Sequence, residues 1–208
     1  MNLEDSYKQQ DSEFLQEFVE EAKEHLDNIE MKILEMERDI NNKETINSIF
    51  RSIHTIKGLA GFVAQELIET ISHKTENILA SIRKGELQSS KKIVDLVLLS
   101  VDFIRTICND IDIQENKDFL KEVEKHIEYT EKFKDSSPKI GDILKEKIGI
   151  SEEEIEEMVE KQKSDYQGMR LGEIVVKENK ATAKEVIDIL RSQEEQEENI
   201  EPVSGITG

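Results

Sequence analysis

Apolar side chains recur at every third or fourth position through the first two thirds of the chain, which is the period of amphipathic α-helices. Before residue 137 there is no Pro, and Gly occurs only at positions 58, 61 and 85, so little interrupts the pattern. Short segments separate the apolar stretches, and this favours antiparallel neighbours. We therefore predict an all-α fold, an antiparallel four-helix bundle with a fifth helix. The stretches span residues 15–40, 46–62, 67–82, 93–111 and 119–133.

A later part of the chain contains an internal repeat with a period of 31 residues. Residues 139–162 align with residues 170–193 without a gap. In each copy a Ser or Thr, at Ser151 and Thr182, is followed three residues later by Glu, which is the capping-box signature of a helix start. We therefore predict a small helical two-repeat domain, with a short helix, a turn and a longer helix in each copy.

These patterns divide the chain into two domains, a linker and two tails. The bundle is expected over residues 10–134 and the two-repeat domain over residues 139–193. The linker is expected at residues 135–138, where Ser-Ser-Pro breaks the helical pattern. Residues 1–9 are expected to form an N-terminal tail, and residues 194–208, rich in Glu, an acidic tail or linker.

The formal net charge of −19 limits the functions that the chain could have. So acidic a surface disfavours nucleic acid as a partner. A single Cys excludes a disulfide framework and a multi-cysteine zinc module, and Cys108 itself is expected to pack in a core. No apolar run approaches the length of a membrane span, and no signal peptide follows Met1. We expect a cytoplasmic protein without membrane insertion.

One face of the second predicted helix carries unusual residues. Lys57, Gly58 and Gly61 follow His54 at spacings of three, four and seven, so the four residues share a face. A glycine inside a helix costs about 1 kcal/mol relative to Ala. Two glycines beside a histidine therefore indicate a face kept bare for something large to approach.

The third predicted helix supplies a second pair on one face, His73 and Glu76, and antiparallel packing would bring this pair to His54 and Lys57. An imidazole that attacks phosphorus needs one ring nitrogen without a proton. We expect Glu76 to accept the proton on Nδ1 and so leave Nε2 free. Lys57 would offset the negative charge of a phosphoryl group. His54 is thus our candidate nucleophile.

The histidines also have simpler interpretations. A lone histidine near an apolar stripe is usually a boundary residue, but the paired glycines and the facing His and Glu favour a site. A di-iron bundle needs two Glu-x-x-His pairs, and the chain has none, so no metal is expected. His25 and His126 have no evident partner and are expected at the surface or its boundary.

Four segments of residues 10–134 form recognisable motifs. They are residues 14–22, Phe50-Arg51 with His54-Thr55-Ile56-Lys57-Gly58-Leu59-Ala60-Gly61-Phe62, His73-Lys74-Thr75-Glu76-Asn77, and Arg83-Lys84-Gly85-Glu86. Together they resemble the histidine phosphotransfer (HPt) domain of CheA-type chemotaxis histidine kinases. The segment around His54 is similar to that family's phosphorylation motif, the last two segments to its third helix, and residues 14–22 to its first.

This resemblance implies that His54 is phosphorylated by an ATP-binding kinase domain and passes the phosphoryl group to an aspartate on the receiver domain of a response regulator. It also implies that Glu76 is the hydrogen-bonding partner of His54, with Lys57 and His73 as supporting neighbours. The chain has no Gly-rich nucleotide loop. We therefore expect the phosphoacceptor part of a histidine protein kinase, a transferase, with no bound cofactor and with ATP and Mg²⁺ used in trans by its partners.

Residues 139–193 resemble the N-terminal domain of type II secretion ATPases and MshE-like proteins, in which paired Arg-Leu-Gly segments recur. Arg170-Leu171-Gly172 fits that form, whereas Ile148 and Asn179 stand where a glycine is usual. Some of those domains bind cyclic di-GMP, and this implies Arg170 as a nucleotide contact. The alternative to a phosphocarrier is therefore a ligand-sensing, docking or structural adaptor without phosphotransfer.

Overall fold

The computed structural model describes residues 3–36, 39–87, 89–137, 139–167 and 169–198. All regular secondary structure in these residues is helical, which confirms the predicted fold class. The helices are α1 (Leu3–Met36), α2 (Lys43–Phe62), α3 (Glu66–Lys84), α4 (Lys91–Asn109), α5 (Lys117–Ser136), α6 (Ile140–Ile148), α7 (Glu152–Ser164), α8 (Leu171–Lys177) and α9 (Ala183–Glu198), with a 3₁₀ turn at Ile111–Glu115.

Local chemistry sets where the helices begin and end. The side chain of Asn42 accepts hydrogen bonds from the first backbone N–H groups of α2, and Ser90 does the same for α4. At the end of α3, Gly85 adopts the left-handed conformation with φ +74°, which a side chain would strain. Arg83 and Lys84 lie in the last turn before it, where positive charge stabilises a helix terminus.

Helices α1 to α5 enclose one hydrophobic core, to which each contributes an apolar stripe. Polar contacts join α1 to its neighbours at the edge of this core. Arg105 on α4 donates to Asp27 and Glu30 at 2.9 and 2.8 Å, and Asn28 donates to Ser52 on α2 at 3.0 Å. Fully buried members of the core include Leu26, Ile29, Ile53, Ile56, Ile68, Ile78, Val101, Ile104, Ile107, Val123 and Phe133.

Helices extend into both of the segments predicted to be tails. α1 begins at Leu3, because residues 3–13 contain neither Gly nor Pro and are rich in Glu, Gln and Lys, which favour a helix. α9 continues to Glu198, inside the segment predicted to be an acidic tail. The remainder of that segment, residues 199–208, lies outside the described residues.

Helices α6 to α9 have a hydrophobic core of their own, formed by Ile140, Ile143, Leu144, Ile150, Met158, Leu171, Ile174, Val175, Val186 and Ile189. They form the predicted pattern, a short helix and a longer one in each copy of the repeat. Ser151 and Glu154 make the predicted capping box, and Thr182 and Glu185 make the same contacts. Asn179 follows α8 and adopts a left-handed conformation with a φ of +55°.

The two-repeat domain contacts one end of the bundle. Arg170 donates from Nη1 to Oδ1 of Asn41 at 3.0 Å, and from Nη2 to the backbone oxygen of Asn41 at 2.9 Å. Gln162 donates to the backbone oxygen of Lys84 at 3.2 Å. The loops before α2 and after α3 are therefore covered, whereas the middle of α2 is not part of this contact.

In the described part of the chain, no helix has an apolar stretch sufficient to span a lipid bilayer.

The prediction for His126 was wrong, because this residue is buried in the bundle with 2% of its surface exposed. Its Nε2 lies 2.8 Å from the hydroxyl of Ser100, which donates to the backbone oxygen of Leu96 and accepts from Thr75 at 2.8 Å. Nδ1 has no hydrogen-bond partner among the described residues. A proton on Nε2 is therefore favoured, since it leaves a lone pair rather than an N–H group without a partner.

This burial makes stability depend on pH. Burial lowers the pKa of His126 from its ordinary value of 6.5 to about 4. Between these two values the unfolded chain binds a proton that the folded chain does not, so stability falls as the pH drops below 6.5. We expect a loss that approaches about 3 kcal/mol near pH 4. Urea unfolding of the wild type and of His126→Gln between pH 7.5 and 4 measures it, and equal pH dependence of the two would contradict the assignment.

Candidate functional site

Helices α2 and α3 lie side by side in antiparallel orientation, and their contacts repeat every seven residues. Asn47 meets Arg83 at the first level, and His54 meets Glu76 at the second. At the third level a Cβ on Gly61 would lie 3.4 Å from the Glu69 carboxylate. Seven residues are two helical turns, so the same faces meet at all three levels. This register brings His54 to Glu76.

Three of the four predicted site residues meet at the second level. Nδ1 of His54 lies 3.1 Å from Oε2 of Glu76, and Nζ of Lys57 lies 2.8 Å from the same oxygen. Glu76 and Lys57 are partly covered, with 15% and 24% of their side chains exposed, whereas the His54 side chain is 61% exposed. The imidazole is therefore held at its inner nitrogen and open on its outer edge.

The charge state of Glu76 fixes the tautomer of His54. Burial by itself would raise the pKa of Glu76, but hydrogen bonds from Lys57 and His54 and their positive charges outweigh burial, so the pKa lies below its ordinary value. An ionised carboxylate can only accept hydrogen bonds, so Nδ1 of His54 must donate. In the neutral imidazole the lone pair is then on Nε2, the nitrogen that a phosphoryl group would meet.

A stack of side chains beside His54 was not predicted from the sequence. The Phe50 ring lies nearly parallel to the His54 ring, with 6.0 Å between the centroids. The guanidinium carbon of Arg83 lies 4.0 Å from the centroid of Phe50, and its Nε donates to Asn47 at 2.6 Å. Phe50 and Arg83 stand in the quoted motifs, but only the α2–α3 register shows that they touch.

Gly58 and Gly61 are both exposed on α2. A Cβ built on Gly58 would have nothing within 4 Å apart from its own helix and chain neighbours. One placed on Gly61 would be in ordinary contact with Glu69. Packing therefore does not require glycine at position 58. Glycine there lowers the stability of the helix relative to Ala, and the packing of the chain does not explain why it is present.

The structure does not join His73 to this group. His73 is exposed on α3, three residues before Glu76, and no hydrogen bond to His54, Lys57 or Glu76 is formed. Its supporting role stays a prediction. Among the described residues, no cluster of three or more His, Cys, Asp or Glu side chains could hold a metal ion.

The tautomer assignment is testable in the isolated chain. Replacing Glu76 with Ala removes the acceptor, so the share of His54 with its proton on Nε2 should rise at a pH where the ring is neutral. Correlated nitrogen–proton NMR spectra of the imidazole measure this share. Glu69→Ala, one level along the same helix pair, is the matched control and should leave His54 unchanged; an unchanged tautomer in Glu76→Ala would refute the role of Glu76.

Comparison with known proteins agrees with this geometry. The family described as "Hpt domain" matches residues 13–113. The chain is 32% identical over 94 residues to the chemotaxis protein CheA of Listeria monocytogenes, and 35% identical over 94 residues to that of Salmonella typhimurium. These alignments cover 45% of the chain and 15% and 14% of those relatives, so the chain spans a small part of their length.

A CheA phosphotransferase domain from Thermotoga maritima is 35% identical, with a TM-score of 0.46, and the alignment covers 48% of this chain and 94% of that domain. The family match ends at residue 113, so the assignment of α5 to this domain stays a prediction. These comparisons do not support the resemblance suggested for residues 139–193, and the role of Arg170 as a nucleotide contact also stays a prediction. Residues 13–113 thus match the Hpt domain family, and the chain is similar in sequence to CheA proteins.

Proposed function

We propose that the chain is a phosphocarrier of two-component signalling, the N-terminal part of a CheA-like histidine kinase. His54 accepts a phosphoryl group from an ATP-binding kinase domain and passes it to an aspartate on the receiver domain of a response regulator. The observation that carries the proposal is the environment of His54. One ring nitrogen is fixed by Glu76 at 3.1 Å, while most of the side chain is exposed to a partner.

The chemistry needs two displacements at phosphorus. In the first, the Nε2 lone pair of His54 attacks the γ-phosphorus of ATP, a P–N bond forms, and the P–O bond to ADP breaks. The imidazole keeps its Nδ1 proton and becomes positively charged, and Glu76 stabilises this charge. In the second, an aspartate oxygen of the regulator attacks the same phosphorus, the P–N bond breaks, and the electron pair returns to Nε2.

Positioning and charge suffice for such transfers, and the site supplies both. Lys57 lies 2.8 Å from Glu76, next to the imidazole, where its charge can offset that of the phosphoryl group. In the proposed reactions the kinase and the regulator use ATP and Mg²⁺ in trans, and the chain itself is the substrate.

The surface around His54 suits a protein partner. Gly58 and Gly61 have no side chains, so the face of α2 next to His54 is bare and another backbone can approach the imidazole closely. At the end of the same helix, Phe62 is 74% exposed and contacts Phe14 edge to face, with 5.8 Å between the ring centroids. An exposed aromatic pair beside a bare face is typical of a contact surface. With such partners, the proposed location of the chain is the cytoplasm.

Phosphorylation in vitro tests the proposal. The chain is incubated with the catalytic domain of a CheA-type kinase and labelled ATP, and the label should be acid-labile and base-stable. His54→Gln should abolish labelling, because the nucleophile is lost. His25→Gln is the control that keeps the label, since it replaces a histidine on α1 that is not one of the predicted site residues.

Two outcomes would decide against a phosphocarrier. Label that persists in His54→Gln would place the phosphoryl group elsewhere. If the wild type receives no label while the same kinase phosphorylates its own Hpt domain, the chain is instead an adaptor.

The bare face gives an independent prediction. Gly58→Ala should stabilise the fold by about 1 kcal/mol, because Ala favours the helix and its Cβ has room. Gly58→Leu should also fold, but its side chain would keep the partner from His54 and slow phosphorylation about 10-fold or more. Thermal unfolding and initial rates of labelling measure the two effects, with Gly58→Ala as the control for rate. Equal rates in Gly58→Leu and the wild type would show that no partner uses this face.

A further inference from the structure

A cavity of about 510 Å³ lies where the two-repeat domain contacts the bundle. It is bounded by the first turns of α2, the last turns of α3 and the residue that precedes α8. Four of its lining residues are cationic, namely Lys43, Arg83, Lys84 and Arg170, and none of the lining residues is acidic. Ile46, Ala80 and Ile82 contribute apolar surface.

This concentration of positive charge contrasts with the net charge of −19 for the whole chain. Two carboxylates lie at the margin. Glu173 is 3.4 Å from Lys43, and Glu86 is 4.0 Å from Lys84. Arg83 and Arg170 form no ion pair with a carboxylate among the described residues, and their side-chain hydrogen bonds go to Asn47 and Asn41. The cavity therefore holds two guanidinium charges that meet only neutral hydrogen-bond partners in the described part of the chain.

Both guanidinium groups are held in place by the fold. The guanidinium carbon of Arg83 lies over the Phe50 ring, and among the hydrogen bonds between described residues Arg83 donates only from Nε, to Asn47. Arg170 uses two donors on Asn41. A guanidinium has five N–H donors, so each keeps further donors. Because both arginine side chains are already held by the fold, ligand binding would cost little of their conformational entropy.

We propose that this cavity binds a small molecule that carries two or more linked phosphate groups. Guanidinium groups bind phosphate through paired hydrogen bonds, and Lys43 and Lys84 add point charges. The volume lies within the usual range of small-molecule sites, about 300–1,000 Å³, and exceeds what one phosphate fills. The cations come from α2, α3 and the turn before α8, so a ligand of this size would bridge the two domains.

The Phe50 ring connects this cavity to His54, the proposed phosphoacceptor. Phe50 has Arg83 on its ring and His54 stacked beside it, so a ligand that engages Arg83 acts on the neighbour of His54. The site is nevertheless separate from the chemistry proposed above. It uses none of His54, Lys57 and Glu76, and it would remain if His54 proved not to be phosphorylated.

Titration of the full chain with inorganic pyrophosphate, at constant ionic strength, tests the proposal. Calorimetry should show saturable binding, and the melting temperature should rise with ligand concentration. Orthophosphate should bind more weakly, because it reaches fewer of the cations. Arg83→Gln combined with Lys84→Gln should weaken pyrophosphate binding about 10-fold or more, since charged hydrogen bonds are lost.

The matched control is Lys117→Gln combined with Lys121→Gln, which removes the same charge at the start of α5. This region adjoins the opposite end of α3, where Leu120 and Glu66 line another cavity. The control should bind pyrophosphate like the wild type. If no saturable binding occurs, or if both double variants weaken it equally, the proposal is overturned. Should the first double variant fail to fold, Lys84→Gln alone, at a side chain that is 68% exposed, must still weaken binding.

Discussion

The register between α2 and α3 is the constraint on which the site depends. Contacts between these helices repeat every seven residues, and the middle level places Oε2 of Glu76 within 3.1 Å of Nδ1 of His54. A shift of one residue would turn the side chains by about 100° and separate them. Buried Ile side chains on both helices, among them Ile53, Ile56 and Ile78, hold this register from the core side. The chemistry of an exposed imidazole is thus fixed by packing beneath it.

The same helix pair joins three surfaces of different character. Bare glycine positions and the exposed Phe62 lie toward the end of α2, His54 lies in its middle, and the cationic cavity lies at its start. Phe50 connects the last two, because its ring contacts both His54 and Arg83. Among the described residues, Arg170 and Gln162 join the two-repeat domain to the cavity end. The His54 side chain remains exposed beside this contact, while a ligand in the cavity would lie against both domains.

Much of this could be predicted from the sequence, because helical periodicity is a local property. The spacing of His54, Lys57, Gly58 and Gly61 depends only on 3.6 residues per turn, and the capping residues Asn42, Ser90 and Ser151 act on backbone groups within three positions. His126 was misjudged for the opposite reason. Its partner Ser100 lies 26 positions away along the chain, and Thr75, which donates to Ser100, lies 51 positions away, so no local pattern signals its burial.

The sequence by itself determined the helices, the internal repeat and the candidate nucleophile with its carboxylate and lysine, since each follows from spacing along one helix or from a recognisable motif. The tertiary structure alone decided which candidates meet. It brought Lys57 and His54 to one oxygen of Glu76, left His73 apart, stacked Arg83 on Phe50, and carried Arg170 to Asn41 across 129 positions. These pairings depend on how the helices cross and where the second domain docks. Those are set by the packing of whole cores, to which every buried residue contributes and which no short segment encodes.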